Sequence, residues 1–233
     1  MTTILSSRRE ALMLAGASGA LLLTPAGAHA DEDADVTANE DLMREHGVLR
    51  RALLVYREAA RRADTAPDTI PQAALGRTAR LFRDFGEDYH EKKLEEAYIF
   101  PAVRKVSASL RALADTLEAQ HARGRAITDY VLDIAARAKF PAGEAREFAK
   151  AMTEMDWMYQ NHAAREDTIV FPAWKAAVGA KAYDEFGDTF EDIEKATFGH
   201  DGFEDAVKTI AGVEAEFGLS DLAAMTAPPP PKI

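Results

Sequence analysis

Apolar side chains recur along most of the chain at intervals of three or four residues, which is the period of an amphipathic α-helix. In the first periodic segment, Leu42, His46, Leu49, Leu53 and Tyr56 fall on one stripe. No long segment alternates apolar and polar residues in the way that a half-buried strand does. The pattern therefore predicts an all-α protein.

Breaks in this period divide the chain into separate helices. Proline and glycine interrupt it at "ADTAPDTIP", at "FPA" and at "FPAG", and proline at such points ends a helix. Four long helices are expected over residues 39–62, 72–99, 107–139 and 143–170. Two shorter helices are expected in "KAYDEFGDTFEDIEKATF" and "DGFEDAVKTIAGVEAEF".

Four long helices joined by short breaks predict an antiparallel, up-down-up-down four-helix bundle with two additional C-terminal helices. A solenoid of helical repeats is the alternative, but it needs three or more similar units and only two are visible. The bundle is assigned to residues 38–175, a C-terminal helical extension to 176–225 and a proline-rich tail to 226–233.

The first 30 residues have the features of an export signal. A charged head containing Arg8 and Arg9 precedes the apolar stretch "ALMLAGASGALLLTP", and an Ala-x-Ala cleavage site ends at Ala30. The paired arginines favour a twin-arginine signal, with an ordinary secretory signal as the alternative. Residues 1–30 are therefore predicted to be a signal peptide, residues 31–37 an acidic linker, and the mature protein to be exported to the periplasm or another extracytoplasmic space.

Composition narrows the possible chemistry. The chain has no Cys, which rules out disulfides, thiolate metal sites and Cys nucleophiles. Without the signal segment, 26 of its 28 basic and 38 of its 39 acidic side chains remain, so nucleic acid is not an expected partner. No apolar run of the mature chain approaches the ~20 residues of a membrane helix. The oligomeric state is left open.

A short motif occurs twice, as "EEAYIFPA" at residues 95–102 and as "EDTIVFPA" at 166–173. When the two copies are aligned on their prolines, Glu95 matches Glu166. A histidine precedes each copy, His90 in "DYHEKKLEEAYIFPA" and His162 in "QNHAAREDTIVFPA". The repeat therefore indicates two helix ends that carry the same chemistry, a histidine followed by a carboxylate.

Each of the helices before these motifs carries one histidine as well. His46 lies 44 residues before His90, and His121 lies 41 residues before His162, so four of the five histidines of the mature chain occupy matching places in two helical hairpins. Imidazole and carboxylate together suit iron, manganese or zinc, whereas calcium and magnesium prefer oxygen-only sets. The pattern predicts a metal site inside the bundle.

The spacing differs between the two halves. His162 and Glu166 are four residues apart and share one helix face, with Asp167 as the alternative ligand. His90 and Glu95 are five apart, and a single π-type turn would bring them onto one face.

Without that turn, Glu91 takes the place of Glu95, so Glu91 is kept as a candidate ligand. Glu95 rather than Glu96 is predicted to face the metal, because Leu94 and Tyr98 are expected to point inward and Glu96 toward solvent.

These motifs resemble the hemerythrin-like HHE cation-binding family over roughly residues 38–175. The resemblance implies a four-helix bundle around a non-haem, usually di-iron, centre with bridging carboxylates; manganese or zinc are possible instead. The ligands that it implies are His46, His90, Glu95, His121, His162 and Glu166. Oxygen-carrying members of that family pair two histidines four apart on the third helix, where this chain has His121 and Arg125.

The expected function is a metal-binding protein that interacts with dioxygen, peroxide or a related small oxidant, in binding, sensing or iron handling. One alternative is a di-iron peroxidase- or oxidase-like enzyme, or a ferritin-like enzyme to which the Glu118-x-x-His121 spacing points. A second alternative is a structural zinc-binding bundle. Trp157 and Tyr159 are expected to pack around His162, and His200 to lie at the surface.

Overall fold

The computed structural model describes residues 36–231. The predicted signal peptide, nearly all of the predicted acidic linker and the last two residues of the tail lie outside the described residues. Between residues 36 and 231 every regular element is helical, which confirms the prediction of an all-α protein.

Six helices make up this part of the chain, and two of them change their winding along their length. The helices are α1, Ala38–Thr65; α2, with an α-helical segment Gln72–Leu81, a π-helical segment Phe82–Ile99 and a last α-helical turn Phe100–Val103; α3, Ala108–Ala136; α4, with segments Ala145–Arg165 (α), Glu166–Val170 (π) and Phe171–Val178 (α); α5, Ala180–Phe198; and α6, Gly202–Phe217. Short 3-10 turns occur at Pro67–Thr69, Ala142–Glu144 and Leu222–Met225.

The predictions that the second helix stops at Pro101 and that the fourth ends at Pro172 are both wrong, because each helix continues past its proline. Pro101 and Pro172 each lie at the start of a new α-helical segment that directly follows a π-helical one. At this position the missing N–H of proline interrupts no i→i+4 ladder, because the preceding hydrogen bonds run from residue i to i+5. The last such bonds go from Phe100 N–H to the Glu95 carbonyl and from Phe171 N–H to the Glu166 carbonyl.

Hydroxyl and carboxylate side chains begin three of the helices, the first being Thr37, which accepts a hydrogen bond from Glu40 N at 3.4 Å at the start of α1. Ser107 accepts a hydrogen bond from Leu110 N at 3.1 Å, and Asp201 accepts one from Glu204 N at 2.9 Å, at the first turns of α3 and α6. Such caps satisfy amide groups that have no partner inside the helix. Gly199 ends α5 with φ 78° and ψ 0°, a left-handed conformation that favours glycine.

The long helices pack side by side around one apolar core. α1 lies against α4 and α2 against α3, while α6 covers α1 and α2. Arg50 of α1 pairs with Asp167 of α4, and Arg57 further along α1 pairs with the earlier Asp156. Because the residue number of the partner in α4 falls as the residue number in α1 rises, these two helices run in opposite directions. No helix within residues 36–231 has the length and apolar character that crossing a membrane requires.

The helices after the bundle pack through aromatic side chains. Trp174, near the end of α4, stacks on Phe190 of α5 with ring centroids 5.6 Å apart. Tyr98 contacts Phe186 and Phe190 of α5 and is 36% exposed. The prediction that Tyr98 points toward the bundle axis is therefore wrong: the π-helical winding of α2 turns it toward α5 instead.

Candidate metal centre

Four buried imidazoles meet in two pairs at the centre of the long helices. The Nε2 atoms of His46 and His90, the first pair, are 3.0 Å apart, and those of His121 and His162, the second pair, are also 3.0 Å apart. Each pair joins two different helices, α1 with α2 and α3 with α4. The structure thus brings together the four histidines that the sequence placed at matching positions.

The opposite nitrogen of each imidazole is held by an oxygen atom. The Nδ1 contacts are His46 with Asp167 at 2.7 Å, His90 with Glu45 at 2.5 Å, His121 with Glu96 at 2.9 Å and His162 with the Gln120 side-chain oxygen at 2.9 Å. Because these oxygens accept hydrogen bonds, the proton of each neutral imidazole is assigned to Nδ1. All four Nε2 atoms then direct lone pairs at one another, as in a metal site.

Glu95 and Glu166 each reach both imidazole pairs. The Oε1 of Glu95 is 3.3 Å from Nε2 of His90, and its Oε2 is 3.3 Å from Nε2 of His121. Glu166 places Oε1 at 2.9 Å from His162 Nε2 and Oε2 at 3.5 Å from His46 Nε2. All four oxygens are buried and accept no hydrogen bond. Since an unpartnered buried carboxylate is costly, this arrangement fits two cations that share both carboxylates.

The electrostatics of the pocket also favour positive charge. Burial lowers the pKa of His121, but the Glu91, Glu95 and Glu96 carboxylates outweigh it and raise that pKa to about 10. Burial raises the pKa of Glu95, but the imidazoles of His90 and His121 outweigh it and hold the pKa well below its ordinary value. In the metal-free protein, protons on His90 and His121 thus balance the charge of Glu95, and a bound cation would take the place of these protons.

The π-helical part of α2 explains how His90 and Glu95 reach the same centre. Hydrogen bonds from residue i to i+5 place residues five apart one above the other, which is the spacing of this pair. The structure confirms the predicted π-type turn but extends it to 18 residues, Phe82–Ile99. A second π-helical segment, Glu166–Val170, was not predicted, and it begins at the glutamate that both imidazole pairs share.

The two alternative ligand candidates, Glu91 and Asp167, have other hydrogen-bond partners in this structure. Glu91 accepts a hydrogen bond from the Tyr159 hydroxyl at 2.8 Å and one from Arg125 at 3.1 Å, and its nearest histidine atom is Nδ1 of His121 at 3.9 Å. Asp167 holds Nδ1 of His46 and accepts from Arg50 at 2.6 Å. Neither carboxylate faces the Nε2 atoms as Glu95 and Glu166 do.

Sequence reasoning misjudged Glu96 and Trp157. Glu96 does not point to solvent but contacts His121 and Arg125, because the π-helical winding turns it toward α3. Trp157 is 74% exposed and lies away from the approach to His162, whereas Tyr159 is buried with its ring centroid 5.5 Å from that of His162.

Two further predictions concern Glu118 and His200, while two residues that hold the imidazoles were not predicted. Glu118 pairs with Arg104 at the surface and does not join the cluster, so its ferritin-like spacing to His121 is not used. His200 is exposed, as predicted, and it pairs with Asp205. Glu45 and Gln120 were missed. The place of Glu45 three residues after Leu42, on the apolar stripe of α1, was a usable signal, whereas nothing in the pattern marked Gln120.

Helices that enclose four imidazoles and two shared carboxylates define a helical metal-binding protein of the histidine–carboxylate class. Residues 37–174 match the family described as Hemerythrin HHE cation binding domain. The chain therefore belongs to the hemerythrin HHE family, whose domains bind metal, typically iron.

Two mycobacterial proteins are similar to this chain over most of its length and of theirs. The uncharacterized proteins Rv1995 of Mycobacterium tuberculosis (strain H37Rv) and Mb2018 of Mycobacterium bovis are each 42% identical to this chain over 197 residues, which is 84% of this chain and 76% of theirs. No solved structure shows significant similarity to the chain.

Proposed function

We propose that the protein holds two iron ions and interacts through them with dioxygen, peroxide or a related small oxidant. One iron would lie at His46 and His90 and the other at His121 and His162, with Glu95 and Glu166 shared between them. The observation that carries this proposal is the position of these two carboxylates, each with one oxygen at either imidazole pair and no hydrogen bond to either oxygen.

The donor set and the family match together support iron. Two imidazoles and two carboxylate oxygens per ion suit iron, manganese or zinc, and the family match favours iron among them. Four protein donors leave positions free on an ion that prefers octahedral surroundings, and a small oxidant requires such positions. Bound iron would supply the electrons for reducing an oxidant, which zinc does not.

The chain's own residues fix the imidazoles and exclude water. Phe171 stacks on His46 and Phe100 on His121, each with centroids 5.5 Å apart. These phenylalanines come from the repeated "FPA" motif, so the motif contributes a ring over one imidazole of each pair. With the Nδ1 atoms held from behind, the imidazoles have little freedom to turn away from the centre.

We further propose that α1 to α4 form the antiparallel four-helix bundle expected from the sequence, and that the protein is exported in the folded state. The paired Arg8 and Arg9 support a twin-arginine route, which suits a protein that binds its metals before export. Replacing both arginines with lysine would keep the charge. The precursor should then remain inside the cell; normal export of this variant would contradict the proposal.

The central test is metal analysis of the protein purified without added metal, followed by absorption spectra. We expect about two irons per chain, one per imidazole pair, and a spectral change on addition of dioxygen or peroxide. A change that reverses on removal of the oxidant indicates binding or sensing, and continuous consumption of peroxide indicates the peroxidase-like alternative. Bound zinc with no spectral response would contradict the proposal and favour a structural site.

A further inference from the structure

Glu91 is a third buried carboxylate beside the centre that does not take part in it. Its side chain is 2% exposed, and its Oε2 is 3.9 Å from Nδ1 of His121. Glu91, Glu96 and His121 offer ligand atoms within 4.8 Å of one another. A buried carboxylate this close to His121 would compete for any open metal position if it could move toward the metals, unless something holds it back.

Both oxygens of Glu91 are held by donors from the neighbouring helices. The Tyr159 hydroxyl of α4 donates to Oε1 at 2.8 Å, and Arg125 Nη2 of α3 donates to Oε2 at 3.1 Å. Glu95 and Glu166 receive no such donors. A hydrogen bond from guanidinium to carboxylate is among the stronger ones in proteins, so Glu91 is satisfied where it lies.

This restraint depends on a close approach between α3 and α4. A Cβ atom on Gly124 would lie 1.9 Å from the Tyr159 hydroxyl oxygen, so only glycine admits the hydroxyl at this place. The same Nη2 of Arg125 also donates to Glu96 at 2.5 Å, and Glu96 in turn contacts Nδ1 of His121. Arg125 of α3 and Tyr159 of α4 thus hold Glu91 from two helices, and Gly124 leaves the space that the Tyr159 hydroxyl occupies.

We propose that Arg125 and Tyr159 are positioning residues that hold Glu91 away from the metals and so keep a coordination position open on the His121 side. This inference rests on the proposed two-metal centre. When the restraint is removed, Glu91 moves toward the metals and closes that position. Arg125 would thereby determine how many small ligands the centre accepts.

The test uses the full chain loaded with cobalt(II) and titrated with azide as a small anionic probe. In Arg125→Leu we expect azide affinity to fall by about tenfold, the size of effect that changes around a metal's immediate ligands commonly have. The visible cobalt absorption should weaken as the coordination number rises. The double variant Arg125→Leu/Glu91→Gln should recover the affinity and the spectrum of the parent, because no carboxylate remains to move in.

Two further variants keep the test decisive if Arg125→Leu is poorly folded. Tyr159→Phe removes only the hydroxyl and should give the same changes to a smaller extent, and Glu91→Gln alone should leave azide affinity at or above that of the parent. Parent-like azide affinity in both Arg125→Leu and Tyr159→Phe, or a loss that Glu91→Gln does not restore, would overturn the inference. The metal count of the parent distinguishes a failure of this inference from a failure of the proposed function. If the parent holds two metals but the variants bind azide as tightly as the parent does, only this inference fails.

Discussion

The two halves of the metal centre reach the same geometry from different helices. In α4, His162 and Glu166 are four residues apart on an α-helical turn, and the π-helical segment begins only at the glutamate. In α2, His90 and Glu95 are five apart, and the whole segment from Phe82 to Ile99 is π-helical. The glutamates nevertheless contact both imidazole pairs in the same way, so the site constrains the positions of the donor atoms rather than the residue spacing.

The halves also differ in the charge buried around them. The position three residues before the histidine is Glu87 in α2 and Tyr159 in α4. The position directly after the histidine is Glu91 in α2 and Ala163 in α4. Glu87 and Glu91 are buried, so the α2 half contains two more acidic groups than the α4 half. Arg83 and Arg125 pair with them. The α2 half therefore has buried ion pairs where the α4 half has packed neutral side chains.

The largest expected effect comes from removing either shared carboxylate. Because Glu95 and Glu166 each contact both imidazole pairs, Glu95→Ala and Glu166→Ala should lower the metal content equally, to less than one metal per chain, despite their different helical surroundings. Metal analysis after dialysis measures this, with the exposed Glu118→Ala as the control. His162→Ala should also lower the metal content well below that of the parent. Full occupancy in Glu166→Ala and His162→Ala would end the assignment of the site.

The four histidines and two glutamates of the candidate centre could be named from the sequence, and the reason is the duplicated motif. Proline alignment placed Glu95 with Glu166, and the intervals between histidines placed His46 with His121. The five-residue spacing in α2 indicated a π-type turn. Its extension over 18 residues could not be predicted, since one extra residue in the pattern does not determine where along the helix the winding changes.

The residues that hold the imidazoles from behind were harder to predict. Their contacts depend on how each helix is rotated against its neighbour, and tertiary packing sets that rotation. Glu96 illustrates the point, because it follows Glu95 directly and looks solvent-facing on a regular helix, yet it contacts His121 of α3. Asp167 was considered as a ligand but lies behind His46.

A second prediction concerns the close packing of Tyr159 in the α4 half. Gly124→Ala would place a methyl group on the hydroxyl of Tyr159, and overpacking of this kind costs about 1–3 kcal/mol of stability. Thermal or denaturant unfolding of the metal-free protein measures the loss. Gly143→Ala is the matched control, because nothing lies within 4 Å of a Cβ atom there. Equal stability of Gly124→Ala and Gly143→Ala would show that the packing is not as tight as described.

A third prediction tests the extra buried charge of the α2 half. Burial raises the pKa of Glu87 from 4.5 to about 7, although the Thr128 hydroxyl opposes this shift. Between pH 4.5 and 7, Glu87 is protonated in the folded state but ionised in the unfolded chain. The folded state is therefore destabilised, relative to its stability below pH 4.5, as the pH rises toward 7.

Glu87→Gln should remove this part of the pH dependence in the metal-free protein. The variant should gain up to about 3 kcal/mol relative to the parent above pH ~7, because one pKa unit corresponds to about 1.4 kcal/mol, and nothing below pH ~4.5. Unfolding free energies at a series of pH values measure the difference, with Glu118→Gln as the exposed control. A constant difference between Glu87→Gln and the parent across that range would mean that Glu87 is ionised throughout.

The smallest expected effect concerns the one imidazole that is held by a neutral group. His46, His90 and His121 are backed by carboxylates, whereas His162 is backed by the amide oxygen of Gln120. A carboxylate behind an imidazole makes it a more basic metal ligand. Gln120→Glu should therefore tighten metal binding at the second pair by a few-fold, up to about tenfold, measured by competition of zinc with a chelator. Gln160→Glu, which adds the same charge to α4 without reaching an imidazole, is the matched control. If both variants tighten binding equally, the gain comes from the added charge in general; if only Gln120→Glu does, the neutral partner of His162 sets the difference between the two halves.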